Sequence, residues 1–480
     1  MRREADQALV ADDRAGLLDR QVVLPEVDAV GPRCECKLGI VVQEEEHVRL
    51  VAESACGVRR SFELSAAGLF VAELEDVDAA VERGRKRTLG RCDVAHEIEP
   101  CCGQAFAALK VHDGEVSSIN HVVRRDVIVV GGGVIGLAVA WRAAQRGLDV
   151  ELFERDVLGA GASHAAAGML APIAEAEHGD AGRRLLELGL ESVRRWPEFA
   201  AELAEVACTE SALRLTGTLV VARDGDEAAA LEREIAFRAE LGLDVERLRG
   251  SEARELEGAL APGLRMGALM PSEGSVDPAW LIDSLATAGR AAGAELREHE
   301  PVAALRRERE RVVGVDTVAG ETFTAAQVVL AAGAWSSQLH DLAVRPVKGQ
   351  IAHLRDPSGP GLLERSLRFE HGYLVPRADG RYALGATVEE RGFDTTVTAG
   401  ALHDLLRDAA DVVPGVLELT IEELQVGFRP GTPDNLPLIG AVAPGLVVAT
   451  GHYRNGILLT PITAEQVVDM LIRTPQEVVA

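Results

Sequence analysis

From residue 126 onward the chain alternates between two hydrophobic rhythms. Short β-branched runs are followed by Ala- and Leu-rich stretches with helical spacing. Such alternation marks α/β units stacked on a shared sheet. The first unit is the sharpest. Val127–Val130 is an uninterrupted apolar run of the kind buried in a parallel sheet. Leu137–Gln145 then predicts a helix that stops at Gly147, and Val150–Phe153 a second strand. Further along, Leu213–Ala222 and Gly372–Thr387 read as strand-rich. Asp379-Gly380 lies between two apolar runs and predicts a hairpin.

Residues 1–122 show no sustained rhythm. Leu38–Val42, His47–Ala52 and Leu69–Leu74 are candidate strands, and the basic run Arg83–Arg91 reads as a solvated loop. The segment stays unassigned between three readings: an appended domain, a disordered leader, or a start set upstream of the working one. The last has specific support. No Met occurs between Met1 and Met169, and a valine start at Val122 or Val123 would lead directly into the first strand.

Composition narrows the class. A chain of 480 residues with 47% hydrophobic positions can hold two or three domains with large cores. A net charge of −26 repels phosphate backbones and excludes nucleic acid as a partner. Six of the seven cysteines precede residue 103. Cys34/Cys36 and Cys101/Cys102 lack zinc-site spacing, so no metal is expected. The longest apolar run, Val127–Trp141, is too short to span a bilayer and contains four glycines. No secretory signal opens the chain, so a cytoplasmic protein is expected.

The chemistry begins where the first strand ends. Gly131-x-Gly133-x-x-Gly136 lies between strand and helix. Gly131 permits the tight turn, Gly133 admits a pyrophosphate close to the backbone, and Gly136 lets the helix pack on the sheet. The amides of Val134 and Ile135 open the helix, where an anion is stabilised. Glu154 follows the second strand, placed to accept from ribose hydroxyls; that acid argues against NADP despite the adjacent Arg155. The unit specifies a dinucleotide without choosing between FAD and NAD. The next segment, Gly159–Pro172, is almost all Gly and Ala. A flat ring can lie against such backbone, and Ser163 and His164 can donate to phosphate or ring.

This segment, the Gly131 unit, Val328–Trp335, Gly427–Thr432 and Gly451–Leu459 occur together at characteristic spacings. In these motifs, which cover residues 123 to about 475, the chain resembles the D-amino-acid oxidase superfamily, most closely the bacterial glycine oxidases of thiamine biosynthesis. The resemblance implies a split Rossmann-like FAD-binding domain at 123–205, 266–345 and 429–475. It also implies a strand-rich, mainly antiparallel substrate domain at 206–265 and 346–428, an α/β+β architecture overall. FAD would be held noncovalently, since only Cys208 lies beyond the N-terminal segment. Ala162, Ser163, Ala167, Gly168 and Met169 would line it, Val302 would meet the adenine, and Gly333 would sit near the flavin. His452, Tyr453, Asn455, Gly456, Ile457 and Leu458 would close over it.

At the substrate end an amine oxidase needs a cation for the substrate carboxylate, and the cofactor carries the chemistry. Arg429 is the first candidate, since its planar fork matches a carboxylate. Tyr373 can donate to the same group, and Arg454 is the third. His371 would share the face of Tyr373 if the strand reaches it, and otherwise is a solvated strand-end residue. The implied activity is oxidation of glycine by O2, giving imine or glyoxylate, ammonia and H2O2, with hand-off to a thiazole synthase; a homo-oligomer is also implied. Alternatives within the superfamily are a D-amino-acid oxidase or dehydrogenase, or a sarcosine-type oxidase. From other classes, a flavin reductase would need a second dinucleotide unit, and a non-catalytic flavoprotein has no use for the two arginines and Tyr373.

Overall fold

The computed structural model describes the strands Cys36–Gln43, His47–Ser54, Arg59–Ser65 and Phe70–Glu73, and residues 124–473. The chain forms two compact units, Met1–Ile119 and Asn120–Ala480. In the first, the four strands make an antiparallel meander paired in sequence order. Three of them correspond to expected strands. Arg59–Ser65 is an addition, because only Phe62 and Leu64 alternate in an otherwise polar run. The basic run at 83–91, all the cysteines of this unit except Cys36, and Val122 and Val123 lie outside the described residues.

The second unit is built on two large sheets. One begins with Arg124–Val130, whose last four residues are buried, as a parallel strand covered on both faces must be. It pairs in parallel with Val150–Phe153 on one side and Thr322–Leu330 on the other. Glu295–Arg297 extends one edge, and Arg311–Thr317 and Val302–Glu308 extend the other. Leu446–Thr450 pairs in parallel with the end of Thr322–Leu330. Val134–Gln145 forms the expected helix, and Gly147 follows it at a φ of 81°. The helix is buried almost all round, enclosed with the helices Pro278–Ala291 and Thr460–Arg473 in one core. Two glycines make this packing possible. A Cβ on Gly136 would stand 1.9 Å from the Gly131 carbonyl oxygen, and one on Gly131 would stand 2.5 Å from that of Ala331.

The other sheet has eight strands in the spatial order Glu246–Arg249, Met266–Met270, Thr218–Ala222, Ser366–Phe369, Gly372–Pro376, Arg381–Gly385, Arg345–Arg355 and Thr420–Gly431. Every pairing is antiparallel except that between Ser366–Phe369 and Thr218–Ala222. The Asp379-Gly380 hairpin is present, with Gly380 at a φ of 84°. The helix Ala399–Val412 covers one face of this sheet, with Leu405, Ala409 and Val412 in its core. This is the α/β+β arrangement expected from the sequence. Among the described residues, no helix is long and apolar enough to cross a membrane. No cluster of three or more His, Cys, Asp or Glu there could hold a metal ion.

Candidate active site

A cavity of about 610 Å3 starts at the end of the first parallel strand and reaches the antiparallel sheet. Every residue singled out from the sequence as a cofactor or substrate contact lines it, except His164, whose ring is half exposed outside it, and Gly136 and Leu458. The last two stand one layer back. Gly136 sits against the Gly131 carbonyl, and Leu458 is buried in the core under the loop.

At the dinucleotide end, the helix begins at Gly133 without a side-chain cap of its own. Ser163 Oγ accepts from Val134 N at 3.1 Å instead. Glu154 folds across the glycine turn: its Oε2 accepts from Gly132 N at 2.7 Å and its Oε1 from Asp156 N at 3.0 Å. Each carboxylate oxygen keeps lone-pair capacity for a second donor such as a ribose hydroxyl. The Arg155 guanidinium lies 3.7 Å from the Trp335 ring centroid, a cation–π contact. Trp335 in turn stacks on Phe393 and meets Phe428 edge-on. Within Val328–Trp335 the family resemblance points to Gly333, and nothing local in the sequence marks this indole.

The loop after Leu446–Thr450 closes the middle. Gly451 and Tyr453 adopt positive φ, and Tyr453 N donates to Pro430 O at 3.0 Å. The His452 ring contacts Thr463 Oγ1 at 3.0 Å, and burial holds its pKa down at about 3, so it is neutral. Thr450 Oγ1 donates to Gly333 O at 2.9 Å, tying the loop to the turn at the end of Thr322–Leu330.

At the antiparallel sheet, Arg429 projects from Thr420–Gly431 and crosses the neighbouring strand at Gly349. A Cβ there would lie 2.4 Å from Arg429 Nη1. Nη1 donates to Thr387 O at 3.0 Å. Tyr373 lies over Gly385, where a Cβ would meet its hydroxyl at 2.5 Å. Burial raises the tyrosine pKa, against smaller opposing effects of Arg429 and Arg454, so the hydroxyl stays protonated and able to donate. Arg454 Nη2 donates to Glu175 Oε1 at 3.3 Å, and Arg368 Nη1 donates to the same oxygen at 2.6 Å. The three residues predicted for the substrate end therefore share one end of one cavity. His371 stands outside it: its ring is exposed beside Glu370, and the strand begins at Gly372.

Two supports of this end were not foreseen. Lys348 is fully buried, with Nζ donating to Asp394 Oδ2 at 2.8 Å and to Thr396 O at 2.6 Å. It thereby anchors the segment that carries Phe393 and Thr395 to the cavity wall. Glu273 is also buried. Its Oε1 accepts from Ile173 N and Ala174 N, fixing the backbone just before Glu175. Burial raises its pKa from 4.5 to about 7. In the folded state it therefore holds a proton that the unfolded state has released, and stability falls as pH rises from the unfolded value through the folded one. The loss is about 3 kcal/mol. Glu273→Gln keeps the acceptor for both amides. Urea unfolding at pH 5 and pH 8 should show the wild type losing this increment and the variant losing much less; equal losses would show that Glu273 is not the titrating group.

Glycine turn, Gly/Ala segment and loop together define the site of an FAD-linked oxidoreductase. The chain matches the family described as FAD dependent oxidoreductase over residues 126–470, and it belongs to that family. It is an FAD-dependent oxidoreductase. The residues present fit the cofactor: Gly131 and Gly133 leave the turn without Cβ atoms, and Gly333, at a φ of 52°, has open space before it. The glycine oxidase of Geobacillus kaustophilus is 39% identical over 359 residues, covering 73% of this chain and 93% of that protein. The bifunctional protein ThiO/ThiG of Trichormus variabilis is 37% identical, covering 72% of this chain and 53% of that protein. Among solved structures, glycine oxidase from Geobacillus kaustophilus superposes with a TM-score of 0.69 at 38% identity, covering 74% and 96% of the two chains.

Proposed function

We propose that this chain oxidises glycine: glycine, O2 and water give glyoxylate, ammonia and H2O2. The observation that carries this reading is the convergence of Arg429 and the Tyr373 hydroxyl in the cavity that opens on the dinucleotide turn. FAD, held noncovalently, supplies the acceptor for the hydride from the substrate Cα and the route of electrons to O2. The protein binds and orients. Arg429 would take the substrate carboxylate bidentately and Tyr373 would donate a further hydrogen bond to it. Arg454, held by Glu175, would fix the loop that runs over the cofactor. At the other end Glu154, Ser163, Val302 and the helix amides would hold the adenosine and pyrophosphate. Cys208, the one cysteine within residues 124–473, does not line the cavity, which supports noncovalent binding.

The likeness to glycine oxidase extends over nearly the full length of that relative, which supports glycine over larger amines. The match to one half of a ThiO/ThiG protein supports hand-off of the imine to a thiazole synthase. Anaerobic mixing with glycine tests the reading. The oxidised flavin band should bleach, and admission of air should restore it with release of H2O2. Bleaching by D-alanine or D-proline but not glycine would move the chain to another branch, and bleaching by none would end the amine-oxidase reading.

The glycine at 349 offers a finer check. Gly349→Ala pushes a methyl group into the Arg429 fork, and the fork must shift. Weakening one charged hydrogen bond should raise the KM for glycine about tenfold while leaving the melting temperature nearly unchanged. An unaltered KM would mean the fork does not hold the carboxylate.

A further inference from the structure

A second, smaller cavity of about 120 Å3 shares Ala166 with the first and is otherwise lined by different residues. Its polar groups are unusual in what they leave unsatisfied. Arg377 is 6% exposed. Its Nη2 donates to Ala167 O at 2.7 Å and its Nε stands 4.0 Å from Asp277 Oδ1, but Nη1 has no hydrogen-bond partner among the described residues. Gln425 is 8% exposed. Its Oε1 lies 3.3 Å from His353 Nε2, and its Nε2 has no partner there either. Burial lowers the His353 pKa, keeping that ring neutral.

Two of the three acids on the wall are already engaged by arginines. Asp277 accepts from Arg381 Nη2 at 2.6 Å and from Ala279 N at 3.0 Å. Glu422 pairs with Arg355, and Glu423 stands 3.8 Å from His164 Nε2. Two buried donors remain, one of them on a guanidinium that keeps its charge. Both call for an acceptor, and a positive group and a second N–H donor on the wall of one small cavity match a carboxylate. The volume is roughly the share of four water molecules, the size of a two-carbon acid.

We propose that this cavity is a second ligand site, for a small carboxylate anion held by Arg377 and Gln425 and coupled through Ala167 to the segment lining the larger cavity. Coupling follows from Arg377 itself, which grips the Ala167 carbonyl with one nitrogen and offers another to the ligand. Bound anion fixes the guanidinium and so the segment, and the effect is reciprocal with cofactor binding.

Equilibrium dialysis of the holoenzyme against labelled acetate, at an ionic strength fixed with sodium chloride, tests this. Acetate binding that survives Arg429→Ala, and is weakened at least tenfold by Gln425→Leu and by Arg377→Met, is expected. Should Arg377→Met fail to fold, Gln425→Leu decides. No binding, or binding removed entirely by Arg429→Ala, would show that water alone fills the cavity and would overturn the site. Binding indifferent to Gln425→Leu would overturn it equally. In the Arg429→Ala background, acetate should slow FAD release severalfold and lose that effect in Arg429→Ala/Gln425→Leu; an unchanged release rate would overturn the coupling. Glycine and glyoxylate as competitors against acetate in the same background separate a site for substrate-type acids from one for simple carboxylates.

Discussion

Replacing Arg429 by alanine should raise the KM for glycine roughly thirtyfold or more, with FAD retained. The number comes from the cost of stranding a buried carboxylate without its charged partner, about 2–5 kcal/mol. The geometry makes the variant informative. The Arg429 head packs on Gly349 and anchors to Thr387 O, so its removal takes away a binding group without disturbing the strand pairing of Thr420–Gly431. Tyr373 remains and should preserve some orientation. Steady-state kinetics with flavin content measured in parallel would check this. An unchanged KM at full flavin occupancy would remove Arg429 from the substrate site, and a fall in flavin content would assign it to the cofactor instead.

Gly136→Ala should be among the most damaging small substitutions in the dinucleotide-binding unit. A single methyl would sit 1.9 Å from the Gly131 carbonyl oxygen, so helix and turn must part. The clash is with backbone, which has no rotamer to relieve it. Overpacking in a closed core costs about 1–3 kcal/mol, and the upper end applies where backbone must move. The displaced helix also carries the amides at Val134 and Ile135 away from the turn. The variant should therefore unfold at a clearly lower temperature and copurify with much less FAD than the wild type. Normal flavin content and stability would show that the helix does not pack as closely as described.

What could be foreseen and what could not divides by locality. The dinucleotide unit is consecutive in sequence, and its strand, turn, helix and acid each leave a local mark. Gly372–Gly385 was legible because Asp379-Gly380 names its own turn. Arg429, Tyr373 and Arg454 carry no local signature of meeting; only the family resemblance placed them together. Glu175, Trp335, Phe393 and Lys348 went unseen because their importance lies in partners far along the chain. Lys348 left one usable sign, a lone cation inside the apolar strand Arg345–Arg355. A lysine there is buried only when something distant pairs with it. Leu458 went the other way: the motif drew it toward the cofactor, while its apolar side chain turned into the core.

The stack of Arg155, Trp335 and Phe393 has an optical consequence. The chain has four tryptophans. Trp141 and Trp196 are sealed in the first core, and Trp280 donates to Thr209 Oγ1 on the surface. Trp335 lies in the cavity wall, in contact with a guanidinium and a second ring. Its emission is the one set to be quenched by an isoalloxazine or adenine brought into the cavity, and to recover when either leaves. Intrinsic fluorescence thus provides a built-in gauge of cofactor residence, readable without substrate, label or turnover, and Trp335→Phe should silence most of it.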